Sequence, residues 1–301
     1  MNQYKKFLGR TDLVKNQVER EKLAEQEAAS KRKRSIQEQN KQRWLKYQEQ
    51  LRSELAARYF HSVMSTGGES FNNKYSVAFD GIDAFVEVAD ADNLSFGNGS
   101  TDSPFSISTW VKMTDATKFR ILVKSDGTSR EYHFYTGGTD KLVFQLFDSS
   151  LNFIGRLFDT ALTSYQNQWI HLTATYDGSG SNSGLKIYLN GNRVDDVNSS
   201  SGSYTAMTNT SMPVHIGRYK ADYSNGLIDE TAIFNSELSA SDVTSIYNGD
   251  GTGLPGDLSE FSSLISWWRF EEGSGTTAAD SGTGGNNGSI DGATYSTDVP
   301  E

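Results

Sequence analysis

The stretch Phe105-Ser-Ile-Ser-Thr-Trp-Val-Lys112 decides the fold. Phe105, Ile107, Thr109 and Val111 alternate with Ser106, Ser108 and Trp110, a period of two that places one set on each face of an extended strand. The same short alternating pattern recurs on both sides: residues 75–79 and 84–89 before it, then 120–124, 132–135, 142–147, 153–158, 169–176, 185–189, 214–217, 227–234 and 265–270. Gly, Asn, Asp and Ser separate these segments. Leu185, Ile187 and Leu189 run directly into Asn190-Gly191, a strong hairpin signal. A dozen short strands in one unit predict a mainly β chain folded as a two-sheet antiparallel sandwich. One helix is predicted over 238–249. Ser239 caps it, Asp242 stands three residues on, Gly249 stops it, and Val243, Ile246 and Tyr247 face the sandwich.

The chain ahead of these strands is of another kind. Residues 1–66 carry 15 Lys and Arg against 8 Asp and Glu, a net +7, whereas the remaining 13 basic and 30 acidic residues give 67–301 a net −17. Only one of the 28 glycines, Gly9, and none of the prolines falls in the first part. Thr11 to Met64 is rich in Glu, Lys, Arg, Gln and Ala, which predicts a long N-terminal α-helical arm. The hinge to the β domain is expected at Ser65-Thr66-Gly67-Gly68. Within the arm, Lys31, Arg32, Lys33 and Arg34 form a basic cluster, read either as a contact for nucleic acid or an acidic protein surface or as a solvated helix face. Trp44, Tyr47, Leu51, Leu55, Tyr59 and Val63 recur at helical spacing and predict a docking or oligomer seam. Residues 1–66 are thus expected to anchor the chain to a partner or to copies of itself.

No apolar run approaches the roughly 18–20 residues of a membrane span. The opening residues turn charged at once, so no secretory leader is expected. The chain has no cysteine, which excludes disulfides and thiolate chemistry.

The segments Tyr75-Ser-Val-Ala-Phe-Asp-Gly-Ile-Asp-Ala-Phe-Val86, Trp169-Ile-His-Leu-Thr-Ala-Thr-Tyr-Asp177, Leu185-Lys-Ile-Tyr-Leu-Asn-Gly191, Val214-His-Ile-Gly217 and Gly226-Leu-Ile-Asp-Glu-Thr-Ala-Ile-Phe-Asn235 follow one another in order. With the 238–249 helix, this series resembles the concanavalin A-like, laminin-G-like jelly-roll family over about 72–300. The stretch Trp267-Trp-Arg-Phe-Glu-Glu-Gly-Ser-Gly resembles one that normally opens such domains, yet here it closes the chain. That order implies that the last segment supplies the strand beside the first. The order and the closing Tyr295-Ser-Thr-Asp-Val-Pro300 are similar to modules of tailed-phage virion proteins, marine phages included. The resemblance implies a ligand-binding or adhesive module for sugars or proteins, often with structural Ca²⁺. Fold alone does not fix function.

Glycoside hydrolases also use this sandwich, and those of the laminarinase type carry Glu-x-Asp-x-x-Glu on one strand. Glu87, Asp90 and Asp92 lack that spacing, as do Glu271 and Glu272, so no enzyme is expected. His61, His133, His171 and His215 are widely spaced, and His171 and His215, inside strands, read as structural. Asp80 and Asp83 sit in a tight turn, Asp229 starts a strand, and Asp280 opens a loop with Asn286 and Asn287. Asp80, Asp83, Asp229, Asp280 and Asn287 are the candidate Ca²⁺ ligands, with ordinary Asx turns as the alternative. Tyr132, Tyr135, Tyr219 and Tyr223, with Tyr165, lie at or near loops and are the candidate sugar-binding aromatics.

The expected function is a non-enzymatic phage virion protein of the capsid-decoration or adhesion type. The basic arm docks on other virion proteins and the acidic jelly roll is displayed outward, the product assembling in the host cytoplasm. The alternatives are a carbohydrate-binding tail or fibre protein with a coiled-coil arm, directed at a host-surface glycan, a cell-surface bacterial lectin exported without a recognisable signal, and a glycan-active enzyme. Nucleic acid is not an expected partner.

Overall fold

The structure, a computed structural model, describes residues 71–249 and 253–300 together with Lys31 and Lys46. The chain divides into two units, Met1–Met64 and Ser65–Glu301. The expected arm and its docking positions Arg32, Lys33, Arg34, Trp44, Leu51, Leu55 and Tyr59 lie outside the described residues. Lys31 and Lys46 are helical and exposed.

In chain order the strands are β1 (Ser76–Asp80), β2 (Phe85–Val88), β3 (Phe105–Asp115), β4 (Arg120–Ser125), β5 (Arg130–Thr136), β6 (Lys141–Phe147) and β7 (Phe153–Ala161). They continue with β8 (Ile170–Tyr176), β9 (Leu185–Leu189), β10 (Asn192–Arg193), β11 (Val197–Asn198), β12 (Val214–Ile216), β13 (Arg218–Tyr219), β14 (Asp222–Tyr223) and β15 (Asn225–Phe234). The helix α1 (Ala240–Tyr247) follows, then β16 (Leu264–Trp268), β17 (Thr277–Ala278), β18 (Gly288–Asp291) and β19 (Thr294–Ser296). Each of the twelve predicted strands overlaps an observed one.

Two large antiparallel sheets result. The eight-stranded sheet runs β10-β9-β8-β3-β15-β1-β19, with β16 on the distal half of β15. The nine-stranded sheet runs β11-β7-β6-β5-β4-β12-β2-β18-β17. The closing segment enters both. Tyr295 of β19 stands opposite Val77 of β1, and Ile290 of β18 stands opposite Val86 of β2.

Alternation sets the core. Phe105, Ile107, Val111 and Met113 of β3 point between the sheets, where they meet Tyr132, Phe134 and Phe144 of the other sheet. Phe105 stacks on Phe96 at 4.2 Å and lies 5.1 Å from Tyr132 and 5.7 Å from Phe144. The other face of the eight-stranded sheet is covered too. There α1 and the 258–264 segment pack Val243, Ile246, Leu258 and Leu264 onto Tyr188, Ala232, Phe234 and Trp267. That is why β3 and β8 are buried at nearly every position while still alternating apolar with polar. The helix begins at the expected Ser239, whose hydroxyl accepts from Asp242 N–H while the Asp242 carboxylate accepts from Ser239 N–H. Such a capping box satisfies two otherwise unpaired backbone donors. Tyr247 stacks on Trp110 and His171.

Candidate functional site

The outward face of the nine-stranded sheet has no helix over it among the described residues. In β5, Tyr132 and Phe134 point inward, so His133 and Tyr135 point outward. In the adjoining strands Val123 and Gln145 stand opposite His133, and His215 stands opposite Val123 and Glu87. A short hairpin, β13–β14, lies against this face. Gly217 turns β12 into it with φ +85°, and a Cβ there would stand 2.4 Å from the Phe79 ring. The hairpin is fastened to β4 at Arg120. Gly217 N–H donates to Arg120 O at 3.0 Å, while Ser224 Oγ accepts from Arg120 N–H at 2.7 Å and donates to Arg120 O at 2.9 Å.

This arrangement interleaves aromatic rings with cations. The Tyr219 ring stands 4.7 Å from His133, which in turn is 4.8 Å from Phe147. The Arg120 guanidinium lies 4.8 Å from the Tyr135 ring and 5.6 Å from that of Tyr219. Arg130 lies 5.3 Å from the Phe147 ring and 5.9 Å from Tyr219, and Lys220 Nζ is 5.5 Å from Tyr219. Beside them Arg218 lies 4.4 Å from the Phe85 ring and 5.7 Å from Tyr223. Contacts of this length carry cation–π attraction. Tyr135 Oη donates to Gln145 Oε1 at 3.0 Å, and Gln145 Nε2 donates to Ser199 Oγ at 3.0 Å.

The charges are unevenly matched. Asp222 is shared by Arg120 Nη2 at 2.5 Å and Lys118 Nζ at 3.1 Å. Burial works to raise its pKa, but the hydrogen bonds from Arg120 and Lys118 prevail and hold the carboxyl below its usual range. Arg130, Arg218 and Lys220 make no ion pair among the described residues. Burial, then the positive charges of Arg130, Arg120 and Lys220, push the His133 pKa well below 6.5. At neutral pH its ring is therefore uncharged. Four buried atoms here lack a hydrogen-bond partner: Arg120 Nε, Arg130 Nε, Tyr219 Oη and His133 Nε2.

Three of the sequence-selected tyrosines, Tyr135, Tyr219 and Tyr223, converge on this face. Tyr132 does not. It is fully buried between the sheets, and its hydroxyl donates to Leu94 O at 2.9 Å. Its place in β5 is one residue from His133 and three from Tyr135, so pleating sends it inward. Tyr165 is half-buried and packs on the same core. Arg120, Arg130, His133, Phe147, Arg218 and Lys220 were not selected from the sequence. The signal available was the Arg218-Tyr-Lys-Ala-Asp-Tyr223 run, which alternates cations with aromatics.

The five candidate calcium ligands do not form one site. Asp80 Oδ1 accepts from Ile82, Asp83 and Ala84 N–H, closing its own turn. Asp280 accepts from Trp267, Gly282 and Asn286 N–H, and Asn287 Oδ1 accepts from Asp280 N–H. Asp229 is buried in β15, where Asn73 Nδ2 donates to it at 2.8 Å. Asp80 Oδ1, both Asp280 oxygens, Asp229 Oδ2 and Asn287 Oδ1 are thus engaged by amide donors. Among the described residues no three His, Asp or Glu side chains gather to hold a metal ion.

Glu87 Oε2 meets His215 Nε2 at 3.1 Å, and Asp90 is the partner of the buried Lys124. Asp229, one of the candidate calcium ligands, forms a buried pair with Glu230 in a bulge of β15. The pair is sealed by Asn73 and by Trp267, whose Nε1–H donates to Glu230 at 2.5 Å. Burial raises both pKa values well above normal. His171 bonds Ser108 Oγ at 2.8 Å. A separate groove of about 500 Å³ is lined by Lys112, Asn167, Trp169, Asp298 and Val299, but Asp298 already takes the Trp169 N–H and the Lys112 ammonium. No helix among the described residues is long and apolar enough to cross a membrane.

Two sheets, with an aromatic and polar face left open on one of them, define a lectin-like sandwich. The profile of the concanavalin A-like lectin/glucanases superfamily, in its laminin G form, matches residues 80–244. The chain belongs to that superfamily. Among solved structures it is similar to a candidate carbohydrate-binding protein of Bacteroides ovatus, with 17% identity and TM-score 0.52 over 76% of this chain and 62% of that one. It thus spans less than two thirds of that protein's length. A heptameric pentraxin of Limulus polyphemus aligns with 12% identity and TM-score 0.49 over 76% of this chain and 96% of that one. Comparison with curated proteins returns no match.

Proposed function

We propose that the β domain is a non-enzymatic carbohydrate-binding module whose ligand face is the outer surface of the nine-stranded sheet at the β13–β14 hairpin. One observation carries this reading: Tyr135, Tyr219, Tyr223, Phe85 and Phe147 are held together with Arg, Lys and Gln side chains on one face. Sugar rings present apolar C–H faces and hydroxyl edges, so they require apolar surface beside fixed donors and acceptors. The first structural neighbour is itself described as a carbohydrate binder, which agrees. The test is a glycan array probed with the full chain and with Tyr135→Ala and Tyr223→Ala. Binding that both variants lose at unchanged melting temperature supports the face. Binding that neither variant alters places the ligand elsewhere.

The finer reading is display on a phage particle, with residues 1–66 docking on virion proteins. Its support is the split of +7 against −17 between the two parts of the chain, which suits docking by charge at one end and free exposure at the other. Purified particles carrying the chain with and without residues 1–66 test it. Attachment lost on truncation supports the anchor, and attachment retained refutes it. The tail-fibre alternative requires a stable trimer of the free chain, which native mass measurement decides.

A further inference from the structure

We propose that this face selects acidic saccharides, those bearing a carboxylate or sulfate group. The inference rests on the carbohydrate-binding reading above and names the ligand class.

The first argument is charge placement. Residues 67–301 hold 13 cations in a net −17 domain. Five of them, Lys118, Arg120, Arg130, Arg218 and Lys220, stand around one hairpin. The carboxylates nearby are already committed. Asp222 is shared by two cations, Glu87 meets His215, and Asp126 accepts from Thr128 N–H, Ser129 N–H and Thr128 Oγ1 of its own turn. Elsewhere an anion approaching this domain meets net negative charge. Here it meets three cations with no ion-pair partner, and the local field steers it in.

The second argument is the sign of the unmatched polar atoms. Of eleven such buried atoms among the described residues, four are in this cluster. Three of the four, Arg120 Nε, Arg130 Nε and Tyr219 Oη, can donate. These atoms are shielded from solvent and touch no ligand directly, but two of them belong to guanidinium groups whose charge no acceptor at that atom offsets, which adds to the positive potential an anion meets at this face.

The third argument is orientation. The rings of Phe85 and Tyr223 hold the Arg218 guanidinium between 4.4 and 5.7 Å, and those of Phe147 and Tyr219 hold Arg130 between 5.3 and 5.9 Å. Arg218 Nε donates to Lys220 O at 3.3 Å and Arg130 Nε is buried, so both side chains are anchored on that side, and their terminal Nη groups are what remain for the charge-assisted contacts that carboxylate and sulfate accept.

The experiment uses the full chain against an array of sulfated, uronic-acid-containing and neutral glycans. It is followed by titration with tetragalacturonate and its neutral methyl ester, and with dextran sulfate and unsulfated dextran. The expected result is that at least one acidic probe binds and its neutral counterpart binds about tenfold more weakly or worse, the size of a lost charge-assisted contact. Lys220→Gln, whose side chain is exposed, and Arg218→Gln each weaken the acidic probe severalfold and flatten its salt dependence. Binding also raises the His133 pKa in an NMR titration, a readout independent of affinity. Three results overturn the inference. Neutral glycans bound as tightly as acidic ones, with Tyr223→Ala abolishing both, refute acid selection and leave the carbohydrate reading intact. Acidic glycans bound equally by the Lys220→Gln and Arg218→Gln variants refute the placement. Absence of any glycan binding removes the carbohydrate reading and this inference with it.

Discussion

His171 and His133 occupy matching places on the two sheets. His133 sits in the middle of β5 and His171 near the start of β8, each with its side chain on the outward face and each at least nine-tenths buried. Around His171, α1 closes the surface. Tyr247 and Trp110 lie within 6 Å of the ring, Ser108 completes its hydrogen bond, and burial lowers its pKa to about 3. Around His133 the cover is a hairpin of two-residue strands, and the pKa falls because of burial and then because of three neighbouring cations. The same alternation that builds a second core on one sheet builds a charged aromatic face on the other. What differs is the identity of the outward residues: hydroxyl and apolar side chains such as Ser108, Thr173, Tyr188 and Phe234 on the covered sheet, and basic or aromatic ones such as Arg120, Arg130 and Tyr135 on the other.

That contrast breaks most sharply at the covered face. Phe234→Ala empties a fully buried ring site beneath the 258–264 segment and should cost about 3–5 kcal/mol in urea unfolding, without changing glycan affinity measured on the folded fraction. On the open side, Gly217→Ala forces a Cβ against the Phe79 ring at positive φ. Unfolding should show a loss of about 1–3 kcal/mol, and glycan binding should fall with it because the hairpin is displaced.

Acid separates the two histidines from the rest. A histidine whose native pKa lies below its unfolded value stabilises the fold above about pH 6.5 and loses that contribution as pH falls toward the native pKa. For His171 the window runs from about 6.5 down to about 3. Between pH 6.5 and 5 its share of the loss should be about 2 kcal/mol. Urea melts of wild type and His171→Asn should therefore converge as pH drops. The Asp229–Glu230 pair acts with the opposite sign, its contribution declining as pH rises above about 4, and it cancels in the difference. The smallest effect is at the cap: Ser239→Ala should lower stability by about 1 kcal/mol, seen as a modest fall in melting temperature with binding untouched.

The β architecture was legible because alternation is local. Phe105 to Val111, the Asn190-Gly191 turn and the Ser239–Asp242 cap each announce themselves within a few residues. The site was legible only in part. Tyr135, Tyr219 and Tyr223 were found as aromatics near turns, yet Tyr132 was grouped with them although its parity with Phe134 marks it as core. The cations were missed because Arg120 and Arg130 lie on β4 and β5 while Arg218 and Lys220 lie about a hundred residues on. They meet only because β12 pairs with β4, an order that no local pattern encodes. Asp80 and Asp280 looked like metal ligands because an Asx turn and a calcium loop share the same residue types.

The pairing of β19 with β1 and of β18 with β2 joins residues more than two hundred positions apart. On the ribosome, β1 and β2 emerge early and each waits with one strand edge uncovered until residues 288–296 are made. The nascent β domain can thus complete neither sheet until its synthesis is almost finished, and a chain stalled before Gly288 would expose two unpaired ladders to any neighbour able to extend them.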